Sequence, residues 1–235
     1  MDRRRGRVAV GALVPALTWW HEYAEAGVGK FADFIELELD ADSVVQFGVD
    51  VIPGQLQLER YAEAVIRCGR PDIGDTAIEQ RVSLRMERQR RMVEHGHRLW
   101  VIIDEAALLR PVGGPAVMAD QIDHLVRMTR SPGLTIQILP LDISRHASLG
   151  VPFTIIKLND GTEYVYRDGI TGGMYSDDAD EAAVYREVWG RLQAMALDFD
   201  RSVTLMKQAH TRHRSRADGD DCVPRGRLAQ VHPQQ

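Results

Sequence analysis

Cysteine is nearly missing from this chain. Its 235 residues include two, Cys68 and Cys222, far apart and outside any Cys-x-x-Cys pattern. That excludes a disulfide-stapled scaffold and a zinc site built on paired thiolates. The simplest setting for such thiols is reducing and cytoplasmic. Long apolar runs are missing as well; none approaches the about 20 residues that a membrane-spanning helix needs. Positive charge is not in excess: 34 acidic residues against 29 lysines and arginines leave a formal net charge of -5. A whole-chain nucleic-acid binder shows the opposite balance. No Gly-x-Ser-x-Gly, His-Glu-x-x-His or Gly-x-Gly-x-x-Gly string occurs, and no internal repeat. His95-Gly96-His97 is a metal-like pair, but spacing places no third ligand beside it. No metal and no cofactor is therefore expected.

What is present is an ordinary globular composition, 44% hydrophobic and 27% charged. The length suits one large or two small domains. Arg3, Arg4, Arg5 and Arg7 stand before an apolar run from Val8 to Leu17, and Ala24-Glu25-Ala26 follows. The arrangement has the outline of a secretory signal. Pro15 breaks the run, however, and the bulky Trp19-Trp20-His21-Glu22-Tyr23 precedes the cleavage-like site. Residues 1–17 are read as a flexible leader, residues 18–209 as the folded domain, and residues 210–235, polar and poor in core formers, as a disordered tail.

The folded part reads as α+β: an N-terminal helical part packed on a small mixed sheet with flanking helices. Residues 18–47 carry helical patterns, with Phe31, Phe34, Ile35 and Leu39 at helical spacing. Pro53-Gly54 marks a turn, and helical spacing resumes over residues 55–68. A long helix is predicted over residues 75–95, capped by Asp75 or by Thr76 with Glu79 three residues on. Its stripe is Ile78, Val82, Arg85, Gln89, Met92 and Val93. Leu99–Ile103 and Leu134–Leu139 read as strands. Between them a helix starts at Pro115 and stops near Pro132-Gly133. The two strands can pair in parallel through it. Asn159-Asp160-Gly161 between Phe153–Leu158 and Glu163–Tyr166 is a hairpin signal. The last helix runs from about Asp180 to Phe199, with residues 202–209 as an extension. Asp177, Asp178, Asp180 and Glu181 crowd its start, as a cap rather than a metal site.

Several short strings stand in a fixed order: Trp19-Trp20, Pro53-Gly54-Gln55-Leu56-Gln57-Leu58 with Tyr61-Ala62, Arg85-Met86-Glu87-Arg88-Gln89, Asp104-Glu105-Ala106-Ala107-Leu108 and Ile138-Leu139-Pro140. The set resembles the C-terminal domain, itself of unknown function, of actinobacterial XRE-family helix-turn-helix regulators, the antitoxin-like group. The family pattern at the corner is Pro-Gly-Leu-Leu-Gln-Thr, so Gln55 stands for an apolar residue and Leu58 for a hydroxyl. The resemblance implies a role in transcriptional regulation. It further implies a domain that binds a small protein partner or a small-molecule effector. In such regulators a helix-turn-helix comes first. Here there is no room for one before the domain, unless a segment is encoded upstream of Met1. The chain by itself is expected not to bind DNA specifically.

The candidate binding residues are Pro53, Gly54, Gln57, Tyr61, Arg81, Arg85, Arg88, Gln89, Asp104 and Glu105. Arg81, Arg85 and Arg88 are spaced by four and three and share a helix face. Their planar guanidiniums suit a carboxylate or phosphate. The competing reading is a solvated face paired with Glu79, Glu87 and Glu94. Asp104 and Glu105 close a strand, where α/β sheets commonly place site residues. An enzyme would use them with His146 and Arg85; the alternative is a salt bridge to Arg110 or to the arginine helix. An apolar strip left exposed on the last helix would allow a homodimer.

Overall fold

The computed structural model describes Tyr23 and residues 31–143, 145–169 and 173–219. The arginine-rich leader, Trp19-Trp20, Ala24-Glu25-Ala26 and Cys222 lie outside the described residues.

The architecture is α+β, with helices on both faces of one six-stranded mixed sheet of order β3-β2-β1-β4-β5-β6. Helix α1 (Phe31–Leu39) leads into β1 (Ala41–Gly48). The connection from β1 to β2 (Arg98–Asp104) holds α2 (Glu59–Gly69) and α3 (Asp75–His95). A short α4 (Glu105–Leu109) and α5 (Pro115–Met128) then lead to β3 (Leu134–Leu139). Strands β1, β2 and β3 run parallel. On the other side of β1, β4 (Phe153–Leu158), β5 (Glu163–Arg167) and β6 (Met174–Ser176) pair antiparallel. The chain closes with α6 (Ala179–Met195) and α7 (Phe199–Ala217).

One face of the sheet presents Val44, Val101, Ile103, Ile136, Ile138 and Ile156 to a core completed by α2, α4, α5 and α7. The other face presents Phe47, Ile102, Phe153 and Ile155 to Trp189 and Leu192 of α6. Side chains alternate between faces along a strand, so strands covered on both sides need apolar residues at every position.

That double burial explains the first departure from the sequence reading. Residues 41–48 form the central strand, not the end of a helical region. Ala41, Val44 and Phe47 recur every three residues because a bulge between Ala41 and Ser43 shifts the phase and both faces are filled. Their spacing imitates a helix. The parallel β2–β3 pair and the β4–β5 hairpin are present as expected.

Three further differences lie at helix ends. Helix α3 spans the expected residues, but its N-cap is Gly74, without a side-chain bond. Asp75 turns instead to Arg67, at 2.8 Å. At the other end of its stripe Val93 is exposed. The last helix is two helices: α6 ends at Met195, and Asp198 caps α7 by accepting from the Arg201 N–H at 2.8 Å. Their junction seals the outer edge of β3. Leu197 N–H donates to the Ile138 carbonyl (2.9 Å), and Ser202 Oγ accepts from Ile138 N–H (3.0 Å). An edge strand is protected in this way from pairing with another chain. Finally, α7 continues to Ala217, through residues read as tail. His213 is fully buried there, bonded through Nε2 to the Leu108 carbonyl at 2.7 Å. A single buried side chain in a polar run holds the helix down, and hydropathy does not register it.

Candidate functional site

The corner after β1 is tied from three sides. Pro53 opens a single 3-10 turn, Gly54–Leu56, in which Leu56 N–H reaches the Pro53 carbonyl at 2.9 Å. Gln57 Nε2 donates back to the Ile52 carbonyl (2.6 Å), and the Ile52 N–H donates to the hydroxyl of Tyr61 (3.1 Å). Tyr61 is fully buried, and burial raises its phenol pKa. From α3, Gln89 Nε2 donates to the carbonyls of Gly54 (2.7 Å) and Gln57 (2.9 Å). From α5, Gln121 accepts from Leu58 N–H and donates to the Leu56 carbonyl, both at 2.7 Å. Backbone groups that no strand or helix can satisfy are thus met by amide side chains, each both donor and acceptor.

Beneath the corner lies an ion pair. Arg88 of α3 donates through Nε (3.0 Å) and Nη2 (2.6 Å) to one carboxylate oxygen of Glu38 on α1. The other oxygen accepts from Gln55 Nε2. All three side chains are buried. The Arg88 guanidinium also lies over the Phe34 ring, 5.3 Å from its centroid. Tyr166 of β5 packs on the same ring at 4.2 Å and donates to Asp168 at 3.3 Å. Burial first, then the Asp168 carboxylate, pushes the Tyr166 phenol well above its usual range.

Arg85 sits one turn before Arg88 on the shared face, half-buried, with Nη1 on Gln57 Oε1 at 2.6 Å. Its partner is a neutral amide, and no carboxylate among the described residues ion-pairs with it. Burial and then the Arg88 charge pull its pKa down to about 10, while Asp168 acts in the opposite sense. It remains a cation at neutral pH. Arg81, also half-buried, keeps a buried Nε without a hydrogen-bond partner. Burial and the Arg70 charge lower its pKa, against an opposing pull from Asp72.

Of the sequence candidates, Pro53, Gly54, Gln57, Tyr61, Arg85, Arg88 and Gln89 therefore meet at one corner, with Arg81 a turn earlier on α3. The solvated-face reading fails for Arg88 but describes Arg90 and Arg91, which pair with Glu87 and, for Arg90, Glu94. Asp104 and Glu105 have other tasks. Asp104 caps α4 by accepting from Ala106 N–H at 2.8 Å, and Glu105 accepts from Leu141 N–H at 2.9 Å, pinning the loop after β3. Arg110 pairs with Asp50 at 3.0 Å and not with either of them. His146 lies edge-on to Phe47 and meets Ser148 N–H; no hydrogen bond joins it to Asp104 or Glu105. The acids near residue 178 are a cap, with Asp178 accepting from the N–H groups of Asp180 and Glu181. No cluster of three or more metal-ligating side chains occurs among the described residues. Glu38, Gln55, Gln121 and Asp168 escaped the sequence reading. The usable signal was Gln55, a polar residue directly after the Pro53-Gly54 turn.

A family model for a domain of unknown function (DUF5753) matches residues 31–208. The chain belongs to that family. The DUF5753 match begins at the first residue of α1 and ends inside α7, so it takes in the whole sheet and every side chain of the corner. No curated protein and no solved structure matches the chain. Among the described residues no helix is long and apolar enough to cross a membrane.

Proposed function

We propose that this DUF5753 domain is a cytoplasmic regulatory module that binds a small protein partner or a small-molecule effector at the Pro53–Tyr61 corner, with α3 as the recognition helix. It resembles the corresponding domain of actinobacterial XRE-family, antitoxin-like transcriptional regulators. In this reading sequence-specific DNA contact belongs to a separate helix-turn-helix and not to this domain.

The observation that supports the reading is Arg85. A half-buried guanidinium is oriented by Gln57, and Gln57 and Gln89 hold the corner rigid beside it. Recognition sites are built in this way, with side chains fixed in advance so that little ordering is left for binding. Pro53, Gly54, Gln57, Tyr61, Arg85, Arg88 and Gln89, all within the strings that carry that resemblance, are among the residues that build the corner.

The test is affinity capture with the tagged full chain from its source extract, in parallel with Arg85→Glu, followed by mass spectrometry of proteins and metabolites. A stoichiometric partner or a co-purifying metabolite that the variant loses supports the reading. Equal recovery by both proteins, or none by either, overturns it.

A further inference from the structure

The reading of the corner as a binding site leaves the chemistry of its ligand open, and the arginines of α2 and α3 narrow it. Arg60 reaches Asp120 at 3.8 Å, and Arg67 takes Glu63 and Asp75 at 2.8 Å. Arg70, in the loop between the helices, takes Asp72 at 2.8 Å. Arg88 is neutralised by Glu38, Arg90 by Glu87 and Glu94, and Arg91 by Glu87. Two guanidiniums stand apart from this pattern, Arg81 and Arg85. They lie one helical turn apart on the same face, where side chains are neighbours.

Resting on the binding-site reading above, we propose that the group this corner takes is an oxyanion, a carboxylate or a phosphate, held between the guanidiniums of Arg81 and Arg85. Arg85 has committed Nη1 to Gln57. Its remaining N–H groups form the fork that matches two oxygens of a carboxylate or phosphate. Arg81 offers a buried Nε donor without a partner. Arg85 is repelled by Arg88 and by Arg81, Arg81 by Arg70, and burial strips part of the hydration of both. An anion arriving between them relieves both costs at once. Gly54 lies alongside: a β-carbon built there would be 3.7 Å from Arg85 Nε, so the backbone approaches the guanidinium without blocking it. The Asp168 carboxylate attracts Arg85 and limits its excess charge, which favours a single oxyanion over a polyanionic chain.

The test is calorimetric titration of the full chain with two probes, inorganic phosphate and succinate, against chloride at matched ionic strength. Saturable binding of at least one probe is expected. Arg85→Gln should weaken it by about tenfold or more, since a charged hydrogen-bonding partner is removed. Arg81→Gln should weaken it as well, and Arg60→Gln on the neighbouring helix should leave it unchanged. Whichever probe binds identifies the source as carboxylate or phosphate. No binding of either probe beyond chloride, or binding that survives the Arg81→Gln/Arg85→Gln double variant, overturns the proposal. The capture experiment reports independently. A partner recovered through Arg85 with no oxyanion binding would retain the recognition corner and reject this ligand class.

Discussion

Glu38 decides whether the interior of this domain tolerates Arg88. A buried ion pair gains little over a well-packed apolar pair, but removing one partner leaves an uncompensated charge. Glu38→Gln is therefore expected to destabilise the domain by about 3–5 kcal/mol, read as a lower urea midpoint. The double replacement Glu38→Leu with Arg88→Met should recover most of that loss. Leu58 is the opposite case. It holds the N-cap position of α2 in extended geometry without any side-chain bond. Threonine there would accept from an N–H of the first turn. Leu58→Thr should stabilise by about 0.5–1 kcal/mol, seen as a raised Tm, with the loss of half-buried leucine surface setting the upper limit.

At the scale of elements, the docking of α7 carries a pH dependence. His213 donates from Nε2 to the Leu108 carbonyl and leaves Nδ1 buried without a partner. Burial, then Arg216, Arg212 and His210, lower its pKa below the ordinary 6.5, against the opposing pull of the Leu108 carbonyl. The folded state therefore binds this proton less readily than the unfolded chain does. Stability from this group is complete above about 6.5 and declines as the pH falls toward the folded value. The urea midpoint should drop between about pH 7 and about pH 5. His213→Gln, which can still donate to Leu108 without titrating, should flatten that slope. An unchanged slope would remove His213 as its source.

At the scale of the whole molecule, the fold does not end where the apolar pattern ends. Helix α7 packs along α5 and reaches α4 through His213. Ending the chain after Ala209 should cost about 1–3 kcal/mol, the penalty for leaving the buried Leu108 carbonyl without its donor. A truncated chain as stable as the full one would return residues 210–217 to the tail. The start of the same helix shields β3 through Ser202, so loosening α7 should also raise amide exchange at Ile138.

Local chemistry was readable wherever it depends on neighbours in the chain. Gly113-Gly114-Pro115 opens α5, Asn159-Asp160-Gly161 turns the hairpin, Asp178 caps α6, and the i, i+4 and i, i+3 spacing puts Arg81, Arg85 and Arg88 on one face. These follow from φ/ψ limits, capping and helical period, all of which act over a few residues. The central position of β1, the burial of Glu38 against Arg88 across fifty residues, and the seat of His213 on Leu108 were decided only by tertiary structure. Burial on two faces erases the alternation that marks a strand. Whether a carboxylate is solvated or locked to a guanidinium depends on which segments the sheet brings together. The chain's own order of residues contains the groups of the corner, and the crossover from β1 to β2 makes them a site.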